Sequence, residues 1–343
     1  IFVDCTICYL NITLLGLYYN SVNTLNMTER VNLDVPRWDQ TQYWGRVKYF
    51  FTTTNPLNIF KSNFELERCK EIVNNYKKGD STPDGLTLED IYKAKDVVDS
   101  AYHPETGEKM IIFGRMSAQV PMNMLITGCM VTFYKTTPAV IFWQWFNQSF
   151  NALVNYTNRS GTAPMPLDQV AKSYVLATSG ALVTALGLNK LVKRLPTVAG
   201  RFVPFAAVAA ANFINIPLMR IKELDNGIEV YDENKNLLGE SKLAARQGIT
   251  AVVLSRVLMS APGMVISPVI MEAIEQKGLL RNMKWAPAPL QIALCGIFLT
   301  FATPMCCALY PQVSPISIDK LEPELQKSAE KFNSKIGYYN KGL

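Results

Sequence analysis

Long uncharged stretches recur along the second two thirds of this chain and are nearly absent from the first third. Met116–Tyr134, Thr136–Asn158, Ser173–Asn189 and Phe202–Met219 carry no charge, Gln247–Met271 carries only Arg256, and Ala286–Ile318 carries none. A bilayer-spanning helix needs roughly 20 mostly apolar residues. The alternating ten-residue pattern of a membrane barrel is missing. The stretches predict spans at about 169–189, 202–219, 248–271 and 287–310. The remaining stretch, 116–158, is read either as one span around 123–144, with Lys135 near the bilayer centre, or as two, 116–134 and 138–158, with a break at Thr136-Thr137-Pro138. A mid-membrane lysine costs about 2.5–3.5 kcal/mol on insertion scales. The expected fold is all-α: a polytopic helical membrane protein with about five transmembrane helices (119–311), an N-terminal soluble helical region (27–118) and a C-terminal tail (312–343).

In the front region the periodicity is that of short amphipathic helices. Ser62 caps a predicted helix over 63–77 with Leu66, Cys69, Ile72, Val73 and Tyr76 on one side. Thr87 and Asp90 have the spacing of a capping box, followed by Ile91, Ala94, Val98 and Ala101. Gly79, Pro83 and Gly85 separate the two, and His103–Gly107 reads as a turn. Residues 1–26 lack a signal peptide's basic leading region and cleavage site, and Met27-Thr28-Glu29-Arg30 has the look of a start, so 1–26 is expected to be a non-native or upstream leader.

Composition sharpens this division. Of 28 acidic residues, 14 fall in 27–118, and between Ile111 and Leu218 there is only Asp168. The single histidine, His103, excludes a multi-histidine metal centre, and the apolar setting of Cys129, Cys295, Cys306 and Cys307 predicts buried thiols. Phosphate-binding loops and DNA-binding motifs are absent, so the net charge of +6 points to neither nucleotide nor nucleic acid. No nucleophile, base and orienting group can be assembled from motif, so no enzyme, cofactor or metal site is expected. With five spans, the front region and the tail fall on opposite sides. The 190–201 loop, with Lys190, Lys193, Arg194 and Arg201 and no acid, then favours the front region in the matrix.

Candidate chemistry lies in the uncharged stretches. Gln144, Gln148, Asn151, Asn155 and Asn158 fall at i, i+4, i+7, i+11 and i+14, which places five amides on one helical face. Amides both donate and accept, as a zwitterionic ligand requires. Asn212 and Asn215 precede Pro217, which removes a backbone donor and frees the Phe213 carbonyl, a setting that suits a broken-helix site. Lys135 and Arg256 are lone cations in acid-free stretches and suit a carboxylate better than a metal ion. The expected substrate-binding set is Gln144, Gln148, Asn151, Asn155, Asn212, Asn215, Lys135 and Arg256.

Several segments resemble the sideroflexins: Pro36-Arg37-Trp38-Asp39-Gln40, His103-Pro104-Glu105-Thr106-Gly107-Glu108-Lys109-Met110, Gly114-Arg115-Met116-Ser117, the run from Phe142 to Arg159, Arg201–Phe205, Asn215–Arg220 and Tyr339–Leu343. The resemblance covers about residues 30–343. It implies a multi-span protein of the mitochondrial inner membrane that uses the import machinery and is linked to serine import for one-carbon metabolism, with effects on iron and haem handling; the family was earlier described as tricarboxylate carriers. Its substrate residues are not defined, so none transfers by motif. This chain departs at Phe213, where family members often have Cys, and at Asn55-Pro56-Leu57, where many have Asp-Pro-Arg. The readings in competition are a serine carrier, a di- or tricarboxylate carrier using Lys135 and Arg256, and a membrane assembly or adaptor protein whose front hairpin docks partners.

Overall fold

A computed structural model describes residues 31–342 except 80–85, 105, 134–135, 159–166, 193–201, 279, 281–282, 284 and 333. Residues 1–30, including the expected leader, lie outside the described set. Trp38–Leu343 forms one compact unit.

This unit opens with three helices: α1 (Tyr43–Thr53), α2 (Asn63–Lys78) and α3 (Leu88–Ala101). The two expected caps form complete capping boxes, Ser62 with Glu65 and Thr87 with Asp90, and Gly79 closes α2 in the left-handed region at φ 88°. Each box satisfies orphan amides at a helix start, which fixes where the helix begins. Leu66, Val97, Ala101 and Tyr102 bury the α2–α3 interface.

Six apolar helical segments follow: α4 (Gln119–Phe133), α5 (Thr137–Thr157), α6 (Leu167–Val192), α7 (Val203–Met219), the long helix α9–α10, and α11 (Pro287–Cys307). A short α8 (Ile221–Asn226) and strands β1 (Ile228–Tyr231) and β2 (Leu237–Ser241) separate α7 from α9. α9 (Lys242–Ala261) runs through a π-helical turn, Pro262–Ile266, into α10 (Ser267–Gln276). Each segment packs on the next, and α11 packs back on α4, closing a ring. Among the described residues, three helices are long and apolar enough to cross a membrane, Val170–Leu188, Lys242–Gln276 and Pro287–Cys307; α7 is apolar but shorter.

The region 116–158 takes the two-segment form. α4 ends at Phe133 and α5 restarts at Thr137, with the Thr136 hydroxyl accepting from the Ala139 amide. Lys135 lies between them, outside the described residues. The extra helix changes which end of the bundle each loop occupies. The Arg46 guanidinium in α1 donates to the Ala308 carbonyl just beyond α11 (2.8 Å), and the Asn158 amide after α5 donates to the Gly114 carbonyl (2.8 Å). The front region therefore sits at the end where α11 finishes, the end that also carries the C-terminal tail. The expectation that front and tail occupy opposite sides is corrected, because an even number of helices returns the chain to its starting end.

The 220–246 loop and the tail are not irregular. They build a four-stranded antiparallel sheet in the order β2-β1-β4-β3, with β3 at Val313–Ser317 and β4 at Ile336–Asn340. Helix α12 (Pro323–Lys331) covers it through Leu325 and Ala329, over Val230, Leu238, Ile316 and Tyr339. Pro315, which has no amide to give a ladder, sits in an edge strand.

Small residues set the closest helix approach. A Cβ on Gly128 of α4 would lie 2.7 Å from the Ile292 Cα of α11, a backbone atom that side-chain motion cannot clear. Gly128→Ala should therefore lower stability by about 1–3 kcal/mol, the usual cost of overpacking. Gly187→Ala in α6, which meets nothing within 4 Å, should leave stability within about 0.5 kcal/mol of the parent. Thermal melts of both variants in the same detergent check the pair.

Candidate functional site

The burial pattern of α5 separates two faces. Val140, Gln144, Asn147, Gln148 and Val154 are buried, whereas Phe142 and Trp145 are about half exposed, at 49% and 47%. The amides thus turn into the bundle and the aromatics outward, as expected for a helix between protein and lipid. Phe150 departs from the expected outer face: it is buried with Ile126, Met130, Val208 and Met264.

The stripe does not act as one unit. Gln144 is fully buried with its amide on the Met130 sulfur at 3.9 Å. The Gln148 Nε2 is buried without a protein hydrogen-bond partner among the described residues, and Asn151 is half-buried. Asn155 donates to the Met219 sulfur (3.5 Å) and accepts from the Arg256 Nη2 (3.4 Å). On α7, Asn212 is turned back onto its own helix, donating to the Val208 carbonyl, while Asn215 is buried with its Oδ1 unpartnered among the described residues. Helix α7 is continuous to Met219, because Pro217 falls in its last turn. The expected helix break is therefore not there. The irregular backbone lies instead in the π turn at Pro262. Phe213 is exposed and so stands outside the interior.

Arg256 opens onto a small cleft between α4, α5, α9 and α11. Its walls carry Gln119, Val154, Asn158, Val252, Ser255, Thr303 and Cys307, with methionines Met116 and Met259. None of its lining residues is an acid. Gln119 Nε2, Ser255 Oγ and Thr303 Oγ1 are buried there without a protein hydrogen-bond partner among the described residues. Leaving a buried polar group unpaired costs about 1–3 kcal/mol, so three around one cation mark a place shaped for a polar guest.

One lining residue comes from outside the helices, and the sequence pattern did not reveal it. Lys341 follows strand β4 and reaches the cavity from the sheet side, buried at 4% exposure with its amine on the Gly342 carbonyl (3.2 Å). No periodicity signals such a residue, because it belongs to a tail segment whose path is set by strand pairing. Cys307, expected only as a buried thiol, lines the same cavity. Among the described residues, no group of three His, Cys, Asp or Glu side chains could hold a metal ion.

Known proteins supply the context. The sideroflexin family model matches residues 32–343. Sideroflexin-1 of Homo sapiens and of Ovis aries are each 58% identical to this chain over 315 residues, covering 91% of it and 98% of the relative. Sideroflexin-3 of Mus musculus is 57% identical over the same share. No solved structure matches. With a family match across nearly the whole described chain and relatives at this identity, the chain belongs to the sideroflexin family.

Proposed function

We propose that this chain is a carrier, not an enzyme, that moves small neutral amino acids, chiefly serine, across the mitochondrial inner membrane for one-carbon metabolism. The observation that carries the reading is Arg256, a cation inside an acid-free cavity, held by the Asn155 amide oxygen. A guanidinium forks a carboxylate with two parallel hydrogen bonds. The unpartnered hydroxyls of Ser255 and Thr303 and the amides of Gln119 and Asn158 supply donors and acceptors for an ammonium and a hydroxyl group. Gln148, Asn151 and Asn215 extend the polar path beyond the cavity. The residues 193–201 hold Lys193, Arg194 and Arg201 and no acid. α6 and α7 meet this stretch at their ends away from the sheet, so with six helices in place of the expected five, retention of positive charge in the matrix reverses the matrix placement of the front region and puts it, with the tail, on the opposite side.

A di- or tricarboxylate carrier is the second reading, favoured by the cations in that cavity and the absence of acids from its walls. Uptake into proteoliposomes separates the two. Labelled serine should enter and be competed by unlabelled serine, with citrate a poor competitor; citrate uptake without serine uptake reverses the assignment.

Arg256→Leu should be well expressed yet lose serine uptake by about tenfold or more, the loss of a charge-assisted hydrogen bond of about 1.5–3 kcal/mol. Full uptake by that variant removes Arg256 from the site. Thr303→Val separates binding from folding. Its hydroxyl has no protein partner among the described residues, so the isosteric apolar side chain should hold or raise the melting temperature, while serine affinity falls several-fold. A drop in melting temperature with unchanged affinity would make Thr303 structural.

A further inference from the structure

The cavity contains a second cation, and it arrives on the C-terminal segment. We propose that Lys341 is a substrate-binding residue which clamps the substrate carboxylate together with Arg256, and that the backbone lock around Gly342 and Arg220 sets its position.

Four observations converge on this. Lys341 is buried at 4% exposure among the cavity walls, and its amine donates to a backbone carbonyl, that of Gly342 at 3.2 Å. A buried ammonium with no carboxylate partner among the described residues is costly, and a bound carboxylate would relieve that cost. The lysine backbone is fixed from two sides. Arg220 Nη1 donates to the Lys341 carbonyl at 2.6 Å while the same guanidinium is anchored on Glu223. The Lys341 amide donates to the Gln312 carbonyl at 2.9 Å. Gly248 of α9 allows the approach: a Cβ there would lie 3.3 Å from the Lys341 Cα. Finally, Gly342 adopts φ 77°, and a Cβ on it would meet the Arg220 Nη1 at 3.0 Å. A side chain at 342 is therefore strained in the backbone and pushed against the lock, without touching the cavity.

The surrounding charges define a pH signature. Burial pushes the Lys341 ammonium down to about 8; the Cys307 thiol on α11 opposes this, and Arg256 on α9, Arg220 after α7 and Arg46 on α1 add to it. Glu223, the acid nearest the lock, is engaged by Arg220. The folded-state value lies below the ordinary lysine value, so the protonated amine is present below about pH 8 and is lost as pH rises through it. Arg256 keeps its charge throughout.

This inference rests on the carboxylate-substrate reading above, and two measurements keep their failures apart. The first is equilibrium binding of labelled serine to the purified full chain. Affinity should fall about tenfold from pH 7 to pH 9 through the loss of the lysine charge. Lys341→Met should lower affinity at pH 7 by about tenfold and erase the pH dependence, whereas Lys341→Arg should keep affinity and also erase it. Gly342→Ala should lower affinity with Lys341 intact. Melting temperatures report whether each variant folds. The second measurement needs no substrate: site-resolved mass spectrometry of Cys307 labelling by an anionic and a cationic thiosulfonate of equal size. The anionic reagent should react faster in the parent, and Lys341→Met should remove the preference. Serine binding absent from the parent, with the anionic preference present and dependent on Lys341, supports the clamp and overturns serine as its ligand. Folded Lys341→Met that binds serine as the parent does, with the pH dependence retained, overturns the proposal.

Discussion

The interior of this bundle is organised by Arg256, a half-buried positive charge that has no acidic counter-ion among the described residues. A bare guanidinium in a low-dielectric interior is expensive, and the α9 stretch that carries Arg256 offers no carboxylate. The structure answers with dipoles. The Asn155 amide oxygen accepts from Arg256, and polar groups from α4, α5 and α11 gather at the same cavity. Those helices must converge there, and the closure of α11 on α4 brings them together. Gly128 against Ile292 and Gly296 against Met124 permit that closure. The position of the cation and the packing of the ring are thus one arrangement.

The sheet has a comparable role at the end of the bundle. β1 and β2 form a hairpin whose turn is held by Asp232, which accepts from the amides of Asn234 and Asn236, with Lys235 at φ 64°. Tail strand β4 adds to β1 in register Val230–Tyr339. This pairing ends the sheet beside Arg220 and α9 and leaves Lys341 at the cavity. A membrane helix alone cannot place a basic residue at such a point without carrying its charge along the span; a strand delivered from the aqueous end can.

The sequence made the helices legible wherever charge and period agreed. The caps at Ser62 and Thr87, the inward amide face of α5 and the interior position of Arg256 all follow from local spacing. What it hid depended on chain-distant pairing. Five-residue strands such as Val313–Ser317, with a proline inside, resemble the end of an apolar stretch until β4 lies beside them. The choice between one and two helices in 116–158 turned on the single cap at Thr136, and that choice set the relative side of both ends of the chain. Asn212 and Asn215 show the limit of residue type as a signal: three positions apart, one folds onto its own helix and the other is buried with its oxygen unpartnered among the described residues.

The π turn shows how a site of irregular backbone is tolerated at membrane depth. Pro268 has no amide to offer the carbonyls one turn before it, and a carbonyl left bare among apolar side chains would be costly. Here the Ser267 hydroxyl donates to the Gly263 carbonyl at 2.8 Å, and the Cys295 thiol of α11 donates to the same oxygen at 3.4 Å. Ser267 and Cys295 also meet each other at 3.2 Å, and Gln291 donates to the Cys295 sulfur at 3.6 Å. The hydroxyl, the thiol and the carbonyl of this cluster thus all have protein partners, in contrast to the three atoms around Arg256 that have none among the described residues. The contrast gives Cys295 and Cys307 of α11 different roles. Cys295 is committed to holding the π turn against its neighbour, so replacing it acts on the fold. Cys307 instead lines the cavity with Arg256 and Lys341.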